Sequence, residues 1–126
     1  MNRCANLAVV LWIAAAAAIA QPLQRNFPAN ALRGELVIVS PPDVTLNGRA
    51  ARLAPGSRIR GDNNMLLLSG SVVGNKLLVH YTVDTYGLIK DVWILRDDEA
   101  AKPWPRSEQE AARWTFDPTA QTWHRR

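Results

Sequence analysis

Apolar and polar positions alternate most regularly between Lys76 and Leu95. In Lys76–Asp84, Leu77, Val79, Tyr81 and Val83 fall on one face and Leu78, His80, Thr82 and Asp84 on the other, the two-residue period of a strand. Thr85-Tyr86-Gly87 reads as a turn with Gly87 in the left-handed position. Leu88–Leu95 returns with Leu88, Val92 and Ile94 opposite Ile89, Trp93 and Leu95. Upstream, Glu35–Ser40 is rich in β-branched residues and stops at Pro41-Pro42, which predicts a strand. Asp43–Leu46 and Arg49–Leu53 flank Asn47-Gly48, the dipeptide best suited to a type I′ turn. Pro55-Gly56 predicts a further turn before the alternating Arg58-Ile59-Arg60, and Gly61–Asn64 has loop composition. Met65–Ser69 and Ser71–Val73 flank Gly70, a place for a bulge or bend in a strand pair.

After Arg96 the pattern changes. Asp97–Ala101 suits one helical turn with acids at its favourable end, and Lys102-Pro103-Trp104-Pro105 cannot continue it. Ser107 followed by Glu110 matches a capping box, opening a short helix through Ala111, Ala112 and Arg113. Asp117-Pro118 marks a stop, and Gln121-Thr122-Trp123 suits a last edge strand. The predicted fold class is a β-rich α+β domain: two or three antiparallel hairpins in a curled sheet or half-barrel, closed by a short C-terminal helix. The expected core is Leu36, Ile38, Leu46, Leu66, Leu68, Leu77, Val79, Tyr81, Val83, Val92, Ile94 and Trp114.

The first residues follow a different logic. Arg3 precedes the apolar run Leu7–Ala18, and Ala18-Ile19-Ala20 ends it with small residues before Gln21. A basic start, a short apolar stretch and an A-x-A end predict a secretory signal peptide at 1–20. The run is short for a bilayer span of about 20 residues, so no transmembrane span is expected after cleavage. Residues 21–33, with Pro22 and Pro28, read as a flexible leader, and 34–126 as one small domain. A periplasmic or secreted location follows. The single cysteine, Cys4, lies inside the expected signal peptide, so disulfides, thiolate metal sites and cysteine nucleophiles are excluded from the exported part.

The whole chain carries 15 basic and 11 acidic residues, and the excess sits in its first half. Between 21 and 76, Arg25, Arg33, Arg49, Arg52, Arg58, Arg60 and Lys76 outnumber Glu35, Asp43 and Asp62, whereas 77–126 is nearly balanced. Such a surface suits an envelope protein or an anionic envelope polymer; export disfavours nucleic acid. Arg49, Arg52, Arg58 and Arg60 are the candidate contact residues. Trp104, held between Pro103 and Pro105, is a candidate exposed anchor beside Lys102 and Arg106. No cofactor or metal is expected: His80 on the polar face of its strand and His124 near the end read as surface histidines without further ligands around them. No catalytic residue is assigned. The alternative enzyme reading is a wall-glycan hydrolase pairing Asp84 or Asp91 with the Asp97–Glu99 cluster, which needs carboxylates about 5–9.5 Å apart across a cleft.

Two resemblances bear on this picture. The segments Pro41–Gly48, Arg52–Arg60, Asn63–Leu66 and Tyr86–Leu95 resemble a family of small exported proteobacterial proteins without assigned function, which implies the compartment only. More locally, Val79–Leu95 followed by Ala111–Pro118 is similar to the strand–strand–helix–strand pattern of the TonB-type C-terminal domain, with Gly87, Trp114, Phe116 and Pro118 in matching places. That domain's upstream Tyr-Pro motif is absent, so the resemblance implies a fold and an interaction subunit, including one that adds a strand to a partner, without energy transduction. The leading expectation is a non-enzymatic exported protein that binds or supports another envelope component.

Overall fold

A computed structural model describes residues 23–126. The signal peptide expected at 1–20 lies outside the described residues. The strands are β1 (Leu32–Ser40), β2 (Asp43–Leu46), β3 (Arg49–Arg60), β4 (Leu66–Leu67), β5 (Leu77–Val83) and β6 (Ile89–Ile94), and a second sheet holds β7 (Trp114–Asp117) and β8 (Thr122–Arg125). Two short helices, α1 (Asp97–Ala100) and α2 (Glu108–Ala112), stand between the sheets in sequence.

β1 to β3 follow from local chemistry. Asn47 and Gly48 take φ of 54° and 80°, the left-handed pair that a two-residue hairpin demands, so β2 and β3 pair from Leu46↔Arg49 to Asp43↔Arg52. The Asn47 side chain locks the turn to β1, its Oδ1 accepting from the Glu35 N–H at 2.9 Å. Pro55-Gly56, expected as a turn, instead lies within a single strand of 12 residues. There the β3–β6 register slips from Leu53↔Ile89 to Arg58↔Asp91, with Gly56 at φ 74°. This irregularity bends β3, so its first part pairs with β2 and its second with β6 and β4.

One bent strand thereby closes the ring β1-β2-β3-β6-β5, with β5 returning to β1. The sheet is more closed than the half-barrel expected from sequence, and the β3–β6 contact is parallel where only antiparallel hairpins were expected. The interior is filled by Leu36, Ile38, Val44, Leu53, Ile59, Val79, Tyr81, Ile89 and Val92. Gly34 serves a close approach: a Cβ there would stand 3.1 Å from Asn47 Oδ1, Leu46 Cδ1 and Tyr81 Cε1.

Three expected core residues are exposed. Leu66 and Leu68 belong to a segment that forms only the two-residue β4 and then a 3₁₀ turn at Ser69–Val72, not the strand pair expected around Gly70. β4 lies against the end of β3 alone, so of its two residues only Leu67 reaches the core, joined by Val72 of the 3₁₀ turn. Val83 ends β5 beyond a second slip, from Thr82↔Asp91 to Val83↔Ile89. That slip adds one residue on the β6 side and reverses the alternation, which puts Ile89 in the barrel with Val92.

The outer face of β5 and β6 carries a second core. Phe27, Ala31, Trp104 and Trp123 are buried there, with Trp93, Leu95, Ala111, Trp114 and Phe116 packed around them. The expected leader at 21–33 is part of this layer from Leu23 onward: Arg25, Phe27, Ala31 and Arg33 are buried, and β1 already begins at Leu32. Its backbone is irregular, as its composition predicts, but its side chains anchor it. α2 is capped by Ser107, whose hydroxyl accepts from the Glu110 N–H at 3.1 Å. No helix among the described residues is long and apolar enough to cross a membrane.

Candidate functional site

The four arginines singled out from sequence all belong to β3. Leu53 and Ile59 point into the barrel, so the adjacent Arg52, Arg58 and Arg60 turn outward. Arg49 stands at the β2–β3 turn and Arg60 at the other end of the strand. Arg52 pairs with Asp43 across the hairpin at 3.2 Å, both side chains largely exposed, a contact worth little by itself. Arg60 is half-covered: its guanidinium lies 3.8 Å from Asp91 and 5.8 Å from the Trp93 ring centroid. Arg49 and Arg58 make no ion pair among the described residues.

Beside this face lies a groove of about 320 Å³. Pro42 of the β1–β2 turn, Arg52 to Pro55 of β3 and Leu88 of the β5–β6 loop line it. Two residues before Leu88, Tyr86 is 87% exposed at the tip of the same loop. Asp84 shapes that loop, its Oδ1 accepting from the N–H groups of Tyr86 and Leu88, both at 2.9 Å. The ring β1-β2-β3-β6-β5 is a closed five-stranded barrel in which β3 runs parallel to β6. No known protein family, curated protein or solved structure matches the chain.

Trp104 departs from the expected exposed anchor: it is only 4% exposed. The Pro-Trp-Pro segment is rigid, but it runs across the barrel wall, where Pro105 O accepts from the Arg33 N–H at 2.9 Å. The indole therefore points inward, and its Nε1–H donates to Ala31 O at 2.8 Å. Its ring meets Phe27, Phe116 and Trp123 edge-on at centroid separations of 5.7, 5.4 and 5.8 Å.

His80 also departs from expectation. It is 1% exposed, held edge-on by Phe27 at 4.6 Å and face to face, tilted by 32°, with Trp104 at 4.2 Å. Burial, reinforced by the positive charges of Arg33 and Arg25, pushes its pKa down to about 2, so the imidazole is neutral. Its Nδ1 has no hydrogen-bond partner among the described residues.

Next to His80 the structure forms a pocket of about 400 Å³ between the barrel and the C-terminal layer, which sequence reasoning did not find. Phe27, His80 and Trp104 contribute aromatic surface, and Gln24, Gln121, Arg96, Asp98 and Lys102 contribute polar surface. One wall is a buried ion pair between Arg25 and Glu99. Arg25 Nε donates to Glu99 Oε2 at 2.9 Å and Nη2 donates to Oε1; the remaining donors reach Gly61 O at 2.8 Å and Ile94 O at 2.7 Å. Glu99 Oε1 also accepts from the Arg96 N–H at 2.9 Å, and Arg96 grips Asp98 at 3.0 Å. That hydrogen bond holds the exposed Asp98 carboxyl below its ordinary pKa. The carboxylates considered for hydrolysis thus have local partners: Asp84 in its loop, Asp91 with Thr82 and Arg60, Asp98 with Arg96, and Glu99 with Arg25. No cluster of three metal-ligating groups occurs among the described residues.

Proposed function

We propose that the protein is a non-enzymatic, exported binding module that holds an extended anionic glycan of the cell envelope across the outer face of β3. The observation that carries this reading is the spacing of the two unpaired guanidiniums. Between them β3 bends: Leu53 and Arg58, five residues apart, face Ile89 and Asp91, only two residues apart on β6, so Arg49 and Arg58 stand roughly 20 Å apart along the strand. A single sugar does not bridge that distance; a polymer does. The groove at Pro42, Arg52 and Leu88 lies along the same face and offers apolar surface for sugar rings. The ring order, with β3 parallel to β6, is similar to that of OB-type barrels, which take oligosaccharides and oligonucleotides on the face of strands 2–3 and its flanking loops; by that analogy of fold, and with the export that residues 1–20 predict, the glycan is favoured.

Retention of the purified protein on immobilised polygalacturonate, washed at rising salt, tests the reading. Retention at low ionic strength, elution at high salt, and none on neutral dextran are expected, because surface ion pairing is screened. Replacing Arg49, Arg52, Arg58 and Arg60 together by serine should abolish retention; unchanged retention overturns the proposal.

One observation favours a second reading. Among the described residues β4 pairs only with β3, and its own Leu66 and the following Leu68 are exposed, the arrangement of an edge that accepts a partner strand. Capture of an envelope protein that survives high salt would support this second reading over the first.

A further inference from the structure

We infer that the pocket behind the barrel is a binding site for a small organic monoanion, a carboxylate on a compact apolar body, independent of the β3 face. The volume of about 400 Å³ lies within the range of roughly 300–1,000 Å³ occupied by small-molecule sites. Its charges define the ligand. Arg25 is matched by Glu99 and Arg96 by Asp98, so these four groups cancel in place. Lys102, half-buried at the pocket, has no ion-pair or side-chain hydrogen-bond partner among the described residues. One cation left over calls for one negative charge.

The apolar requirement comes from the aromatic lining. Phe27, His80 and Trp104 touch one another, Phe27 edge-on to the other two, and line the pocket with uncharged aromatic surface. Among them His80 is almost wholly buried and its hydrogen bonding is incomplete. The unpartnered Nδ1 is itself sealed from solvent, so His80 meets the pocket as neutral aromatic surface and not as a hydrogen-bonding group. The ion-paired wall makes the site preformed: Arg25 is fixed by four hydrogen bonds, so neither it nor Glu99 must move to admit a ligand. Phosphates and other dianions suit it poorly, because only one unmatched charge lines the pocket.

The test is a titration of the purified, isotope-labelled protein with benzoate and with benzyl alcohol, followed by amide and indole N–H chemical shifts. Benzoate should saturate, with the largest shifts at the Trp104 indole N–H and the Lys102 amide, while benzyl alcohol should bind at least about tenfold more weakly. Lys102→Gln should remove that preference and leave the spectrum otherwise folded. A second variant, Lys76→Gln, makes the same charge change at an exposed residue outside the pocket lining and should bind benzoate as the parent does. Equal affinity for the acid and the alcohol, unchanged benzoate affinity in Lys102→Gln, or shifts confined to β3 would each overturn the inference. Because the β3 arginines are not touched, failure here leaves the glycan reading standing, and the reverse holds as well.

Discussion

Replacing Glu99 by glutamine keeps the size and shape of the side chain but removes the charge opposite Arg25. Arg25 is buried, and two of its four hydrogen bonds end on the Glu99 carboxylate. In Glu99→Gln one carboxylate oxygen becomes an NH₂ that faces a guanidinium donor, and the buried cation is left with neutral acceptors only: the amide oxygen, Gly61 O and Ile94 O. Removing one partner of a buried pair costs about 3–5 kcal/mol, because the remaining charge stays desolvated. The amide still offers one acceptor and both carbonyls remain, which brings the cost to or just below the bottom of that range, about 2–3 kcal/mol. For a domain of this size that lowers Tm by on the order of 10–20 °C. Thermal unfolding followed by tryptophan fluorescence and circular dichroism measures it. A double-mutant cycle with Arg25→Gln should return a coupling of about the same 2–3 kcal/mol. A Tm within about 3 °C of the parent's would refute the reasoning, since it would mean that the N-terminal segment is not held by this pair.

Two further outcomes follow from buried groups. His80 is neutral in the fold down to about pH 2, whereas an unfolded histidine takes a proton below about 6.5; the unfolded state therefore binds more protons in acid, and stability falls by about 1.4 kcal/mol for each pH unit below 6.5. Urea titrations from pH 7.5 to 5 should show this loss, and His80→Phe should remove that share of it; parallel curves for the two proteins would sink the assignment. Gly34→Ala adds a methyl group 3.1 Å from three atoms, two of them in the Leu46 and Tyr81 side chains, and should cost about 1–3 kcal/mol through overpacking, read as a lower urea midpoint at unchanged slope.

The parts of the fold legible in the sequence are those set by neighbours in the chain. Asn47-Gly48, Gly87 and Ser107 with Glu110 act through their own backbone or that of residues a few positions away, and the turns and helix stand where they predict. Misreadings occur where a distant strand decides. Gly56 and Lys90 lie at register slips that no local pattern reveals, so Pro55-Gly56 reads as a turn and Ile89 falls on the wrong face. The four arginines are visible as a charge run because one strand carries them all. The pocket is not visible, because Phe27, His80 and Trp104 come from three segments far apart in sequence and each has an ordinary local reading. The one available signal was Trp93 beside His80, two large rings on the face of the β5–β6 hairpin that alternation assigns to solvent.

The Arg25 clamp also bears on the order of events when the chain is made. A polypeptide that leaves a ribosome, or a pore, N-terminus first presents Arg25 early, yet its acceptors are at Gly61, Ile94 and Glu99. The barrel has the same property, since β1 is enclosed only when β5 arrives and β3 only when β6 does. Structures dominated by contacts between distant residues form slowly, because the loops must close before the contacts reward them. The first segment to emerge is thus among the last to be fastened. For a chain exported as residues 1–20 predict, that delay would keep it threadable until nearly all of it has passed.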